Sequence, residues 1–233
     1  QFELARLQRR PVSSAAGRLL IDDTLAHHTK CSIEELAYLK EHTINQYVWA
    51  HNVVTSYYLN RMDQFPVDSR LYLQFRPKKW CALLAELAQQ VRRAPTLSGY
   101  QRYLVSLLAY RVHQEQYQPK TQLAAALIRQ AVAWALPFDV VLFDGCIVAA
   151  LIQVVQDLHK DWVSGCPIDR RVLFQNRWLQ LREFSTTLPA TAYRPIKIND
   201  RLWWMFSKVF LMECLQHQRV RIVAAYADEL QLT

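Results

Sequence analysis

The segment FDVVLFD, residues 138–144, sets four apolar residues, Val140 to Phe143, between Asp139 and Asp144. A run this short, rich in β-branched and aromatic side chains, reads as a buried strand finishing on a carboxylate. Pro137, just ahead of it, closes the preceding helix, because proline offers no N–H to the helical ladder. That helix extends from about Lys120 to Trp134 and repeats Leu123, Leu127, Ile128 and Ala131 along one side. A further helix is expected from about Cys146 to Leu158. Helix, strand and helix in succession imply a sheet joined by helical crossovers.

Upstream, RLLIDDTL (18–25) places an apolar run against Asp22 and Asp23, a second strand that ends in acid. QYVWAHNVVTSYYL (46–59) predicts one or two strands, with a turn near His51-Asn52. After a turn at Pro66, RLYLQF predicts another strand, and WCALLAELAQQVR (80–92) has the helical spacing of Leu83, Leu84 and Leu87. Residues 95–118 are mixed, either helix or an inserted excursion. Beyond Lys160 the pattern becomes short alternating stretches, among them RRVLFQ, WLQLREF, YRPIKI, RLWWMFSKVFLM and RVRIVAAY. This tail is basic: eleven Lys or Arg against five acids between Lys160 and Arg221. The expected organisation is an α/β core over 1–165 with a β-rich subdomain over 166–233.

The chain has 233 residues, 52% hydrophobic and 21% charged, which supports a packed core and excludes wholesale disorder. With 4 glycines there is no glycine-rich phosphate loop. Cys31, Cys81, Cys146, Cys166 and Cys214 are scattered without a C-x-x-C pair, which argues against a zinc ribbon or a disulfide framework and for reduced thiols in the cytoplasm. No apolar run reaches the ~18 residues a membrane span needs, so no membrane partner is expected. The formal charge of +8 and a pI near 9.4 favour a polyanionic partner. The chain starts at Gln1, as a piece of something longer would.

Two carboxylates at strand ends, Asp22 (or Asp23) and Asp144, repel each other if brought together unless a proton or a cation intervenes. Oxygen-only donors suit Mg²⁺ or Mn²⁺, which take one or two carboxylates together with substrate phosphate oxygens. Such ions activate an attacking hydroxyl and stabilise the leaving oxygen in phosphodiester chemistry. The competing reading makes these aspartates strand-end caps or turn formers.

LLIDDTLAHHTK (19–30), YVWAHNVVTSYY (47–58), PVDSRLYLQF (66–75), LPFDVVLFDGCIVA (136–149) and HKDWVSGCPIDRRVLF (159–174) occur in that order. Together they resemble the insertion-sequence DDE transposases, over about residues 18–228. The resemblance implies a ribonuclease-H-like mixed sheet with flanking helices and a β-rich insertion. It makes Asp22 the first catalytic acid and metal ligand, or Asp23 if the alignment slips by one, and Asp144 the second. It implies Mg²⁺ or Mn²⁺ as cofactor, double-stranded DNA (transposon ends and target) as partner, a homodimer on paired ends, and a nucleoid-associated cytoplasmic setting. The implied reaction is hydrolysis at the transposon end followed by attack of the freed 3′-hydroxyl on target DNA. Lys160, Arg170 and Arg171 become a DNA-binding rim.

The chain departs from the family pattern in two places. Gly145-Cys146-Ile147 stand where members often carry a Ser-Trp-Tyr-like run. The third acid, a Glu in an R-W-x-x-E type context, has no counterpart; Glu183, Glu213 and Glu229 lack that signature, and the expectation is truncation ahead of the last acid. The alternatives are a non-catalytic DNA-binding or assembly remnant and a related metal-dependent nuclease. Among other candidates, His27 and His28 point to opposite sides of an extended segment, so one ion cannot easily take both with Cys31. His51 is either near the active site or a core or turn histidine. Trp203 and Trp204 divide between a core face and an exposed face.

Overall fold

The computed structural model describes residues 17–29, 36–41, 43–144 and 149–226. The chain divides into two compact units, Gln1–Val141 and Leu142–Thr233. It is a mixed α/β protein with two sheets, as the helix–strand–helix pattern implies.

The first unit is built on a long strand, β3 (Gln46–Leu59), with β1 (Gly17–His27) antiparallel on one side. Strands β2 (Ala37–Glu41) and β4 (Gln64–Tyr72) lie in tandem along its other side. Strand β5 (Phe138–Phe143) neighbours β1. Alternation along β1 and β3 puts Leu19, Ile21, Ala50, Val54 and Tyr58 on one buried face. Helix α3 (Lys120–Ala133) packs there, burying Leu123, Leu127, Ile128 and Ala131. Two more helices, α1 (Pro77–Arg93) and α2 (Leu97–Gln116), form a hairpin between β4 and α3. Pro77 stands in the first turn of α1, and the Thr96 hydroxyl caps α2 by accepting the Gly99 N–H at 3.1 Å.

Residues 46–59 are one uninterrupted strand, not two with a turn at His51-Asn52. Asn52 pairs with Leu25 on one side and Tyr72 on the other. Pairing on both edges overrides the local turn preference. Pro66 lies within β4, opposite Tyr57, beside a bulge at Ser56/Tyr57. An edge strand tolerates this because the missing N–H faces no ladder partner. Residues 97–116 are helical, which settles the mixed stretch.

In the second unit, α4 (Ala149–Asp157) leads to β6 (Asp161–Ser164), which neighbours the end of β5. The expected start of α4 at Cys146 lies outside the described residues. A second sheet runs β11 (Gln218–Tyr226), β10 (Arg201–Met212), β7 (Arg171–Phe174), β8 (Arg177–Gln180), with β9 (Arg194–Ile198) also on β10. The β7–β8 and β9–β10 connections place Gln175-Asn176 and Asn199-Asp200 at positive φ, the geometry of tight turns that follow the strand twist. The alternation of WLQLREF suggests a strand throughout. Instead β8 ends at Gln180 and α5 (Leu181–Thr186) begins, because Glu183 accepts the Gln180 N–H at 3.0 Å in a capping box. Phe184 on α5 packs against Phe174, Phe206 and Phe210 and fills the sheet's inner face.

One carbonyl ties three strands together. Pro137 C=O accepts the Gly17 N–H at 3.0 Å and the hydroxyl of the fully buried Tyr58 at 3.1 Å. Gly17 sits so close to the Tyr58 ring that any Cβ there would collide with it. Tyr58→Phe is expected to lower stability by about 1–2 kcal/mol through the lost buried hydrogen bond. Gly17→Ala should cost about 1–3 kcal/mol through overpacking. The double variant should lose less than the sum, because removing the hydroxyl frees space for the new methyl; urea unfolding of the four proteins measures the coupling.

Candidate functional site

Two successive side chains on a strand point to opposite faces, and the pair Asp22-Asp23 follows this rule. Asp23 falls in the series Leu19, Ile21, Asp23, on the face where α3 packs, and pairs in register with Val54. Its carboxylate forms an ion pair with Lys120, the first residue of α3. The pairing has an electrostatic logic. A lysine in the first helical turn opposes the helix dipole, α3 carries no acid in that turn, and Asp23 supplies the missing negative charge from across the sheet. The Lys120 ammonium also lies 5.3 Å from the centre of the Tyr72 ring.

Asp22 lies on the other face, opposite Thr55. Its Oδ1 accepts the Asp23 N–H at 2.8 Å, and it forms no ion pair among the described residues. Asp144 is exposed and directly follows β5. It too makes no ion pair among the described residues. Each is a carboxylate without an ion pair among the described residues, and carboxylate oxygen is the donor type that Mg²⁺ or Mn²⁺ takes. Among the described residues, no group of three His, Cys, Asp or Glu side chains comes together as a metal cluster.

Past the acids, β1 ends in histidines that diverge as the alternation requires. His27 Nε2 meets Glu41 Oε2 at 2.6 Å, while His28 Nε2 lies 2.9 Å from His51 Nδ1 with the rings edge-on. Thr43 donates to the other Glu41 oxygen at 2.5 Å. Cys31 lies outside the described residues.

In the second unit, Arg171 forms an ion pair with Glu213 at 3.1 Å. Arg170 is half-buried, with its Nε enclosed and unbonded. Lys160 is half-buried just ahead of β6. Of the downstream glutamates, Glu183 caps α5, Glu213 holds Arg171, and Glu229 lies outside the described residues, as do Gly145, Cys146 and Ile147. Trp204 shares the parity of Phe206 and has its indole N–H enclosed; Trp203 takes the opposite face.

Sequence reasoning overlooked Lys120. The available signal was a lysine opening a helix that has no acid in its first turn, a charge needing a partner from elsewhere in the chain.

The family profile described as DDE superfamily endonuclease matches residues 2–181. The chain therefore belongs to the DDE superfamily endonucleases, and its architecture agrees with the ribonuclease-H-like domain of that group. Membership makes it a nuclease-class protein with DNA as the implied substrate, from a family that normally uses divalent metals. No curated protein matches the chain. No helix among the described residues is long and apolar enough to cross a membrane.

Two titrations follow from this geometry. The hydroxyl of Thr43, and next the ring of His27, hold the Glu41 carboxyl below the ordinary glutamate value. A depressed pKa contributes stability above the unfolded value, and that contribution disappears as pH falls through the folded one. NMR titration of Glu41 should show the low midpoint, and Thr43→Val should move it upward. Burial, reinforced by Cys214, pushes the Cys166 thiol up to about 11, whereas Cys81 is exposed. Maleimide at pH 7.5 should therefore modify Cys81 well before Cys166, as peptide mapping would show.

Proposed function

We propose that this chain is the catalytic portion of a DNA transposase, with a ribonuclease-H-like core over 1–165 and a β-rich insertion over 166–233. Asp22 and Asp144 act as its first and second metal-holding acids. The observation that carries the reading, within a DDE endonuclease, is the different ion pairing of the two candidates on β1. Asp23 is paired with Lys120, while Asp22 makes no ion pair among the described residues. For Asp23 to be the first acid, it would have to give up Lys120. Strand β5, which delivers Asp144, neighbours β1, and the Gly17–Pro137 hydrogen bond starts both strands at the same end. Asp144 directly follows the end of β5, whereas β1 does not end at its acids as the sequence suggests: pairing with β3 carries it on to His27, so Asp22 stands in mid-strand.

In this reading the side chains have separate tasks. Asp22 and Asp144 hold Mg²⁺ or Mn²⁺. The bound ion supplies Lewis-acid polarisation of the scissile phosphate and activation of the attacking hydroxyl. Lys120 fixes Asp23 and the start of α3, which leaves one acid of the pair open for metal. Lys160, Arg170 and Arg171 meet phosphates of double-stranded DNA, and Arg171 exchanges Glu213 for a phosphate when it does so. Cleavage at transposon ends, transfer of the freed 3′-hydroxyl to target DNA, a homodimer on paired ends and a nucleoid-associated setting complete the proposal.

The test is Mg²⁺-dependent nicking and joining of end-sequence duplex DNA. Asp22→Asn and Asp144→Asn should each reduce nicking about a thousandfold or more, the equivalent of several kcal/mol of charge stabilisation. Asp23→Asn should retain most of it. The reverse order for Asp22 and Asp23 would exchange their roles. Nicking without joining identifies a plain metal-dependent nuclease, and DNA binding with no cleavage identifies the assembly remnant.

A further inference from the structure

The sheet of the second unit has two chemically different faces. Even-numbered positions of β10 and β11 carry Phe206, Phe210, Met212 and Val220 into the core. The opposite face takes the odd-numbered positions and, across the β9–β10 register, Arg194 beside Met205. It carries four arginines, Arg194, Arg201, Arg219 and Arg221, all exposed. Among the described residues none of the four makes an ion pair, and Arg221 donates only to the Ser207 hydroxyl at 3.2 Å. The two described carboxylates of residues 190–226 are occupied elsewhere: Asp200 pairs with Lys197 and Glu213 with Arg171. Trp203 and the exposed Val223 lie between the arginines, and no side chain on this face is buried.

We infer that this face of β9, β10 and β11 is a docking surface for the backbone of duplex DNA. Arg171 borders this face on β7, where Glu213 holds it, and the four arginines extend the surface beyond the Lys160, Arg170 and Arg171 rim. The inference rests on the reading of the chain as a DNA-acting enzyme and supplies a surface which that reading does not assign. Charge complementarity selects the occupant: four guanidinium groups without an ion pair among the described residues, on strands β9, β10 and β11 that carry no carboxylate, match a polyphosphate. Length agrees with a duplex. Arg201 and Arg219, which pairs with Leu211, stand ten residues apart along β10, about 33 Å at strand rise, close to one turn of B-DNA. Arg219 and Arg221 project from the same side of one strand, two residues apart, and can follow successive phosphates.

The test compares three forms of the full chain by fluorescence anisotropy with a 30-base-pair duplex at increasing NaCl. These are wild type, the R194Q/R201Q/R219Q/R221Q variant, and a charge-matched control, R92Q/R93Q/R102Q/R111Q, on the exposed surfaces of α1 and α2. Removing the sheet arginines should lower the slope of log K against log salt by about 0.9 for each phosphate no longer neutralised, or roughly 3 to 4 in all. The control should keep a slope near that of wild type. Circular dichroism verifies that each variant is folded. An unchanged slope for the sheet variant, an equal loss in the control, a preference for single-stranded over duplex DNA, or no salt-dependent binding by wild type overturns the inference. The catalytic reading is scored separately by Asp-dependent nicking. Nicking with an unchanged slope defeats only the docking surface, and a reduced slope without nicking defeats only the catalytic reading.

Discussion

The Pro137 carbonyl is the fixed point of the first unit. A carbonyl oxygen has two lone pairs, and here both are used: one by the Gly17 N–H that opens β1, the other by the Tyr58 hydroxyl near the end of β3. The residue that accepts these bonds has no N–H of its own and stands just ahead of β5. The same proline therefore stops helical continuation, starts a strand, and clamps its neighbours. Tyr58 has no exposed surface, so its hydroxyl needs a partner inside the protein. It has two: it donates to Pro137 and accepts from Asn60 at 3.1 Å. Close approach at this junction leaves no room for a side chain at residue 17, which explains why one of the chain's four glycines stands there. With their starts joined, β1 and β5 depart from the same end of the sheet, and the count of residues along β1 determines which aspartate lies on which face.

Much of this was legible in the sequence because the strongest signals are local. Val140 to Phe143 form a strand because the apolar run is bounded by charge and preceded by proline. Leu123, Leu127, Ile128 and Ala131 form a buried helical stripe because their spacing puts them on one side of a helix. The opposite orientations of His27 and His28 follow from the pleat alone. The departures share a different cause. Asn52 in isolation favours a turn, but it sits in the middle of a strand paired on both sides, and no local property reports partners 27 residues before it and 20 after it. Gln180 and Glu183 carry the capping box that turns WLQLREF from strand into helix. That pattern is present in the sequence but is masked by its alternating apolar residues.

The choice between Asp22 and Asp23 is the part of the site that periodicity alone leaves open. Alternation says the two differ in face; it does not say which face is which. That depends on where α3 begins, and Lys120 is 97 positions from Asp23. Once the helix is placed, the electrostatics separate the two acids. A positive helix terminus and an ammonium both fall on Asp23, and neither reaches Asp22 as an ion pair. Neutralisation of one carboxylate next to another lowers the repulsion that two adjacent aspartates would otherwise impose on the strand.

The excess positive charge of the chain is likewise not spread evenly. In the second unit, strand alternation sorts it. Aromatic and aliphatic residues at even positions of β10 and β11 assemble the core, so arginines in the same strands are driven to the odd positions and collect on one surface. Lys208 is the exception that fits the rule: it has core parity, yet remains exposed by laying its ammonium over the Phe174 ring at 4.8 Å. Acids are what ordinarily dilute such a surface, and here they are drawn off by Lys197 and Arg171 at the ends of the strands. Among the described residues the four guanidinium groups on this face have no ion pair, so they add no charge pairing to the fold. Their retention points to a partner outside the fold that carries the opposite charge at a comparable spacing.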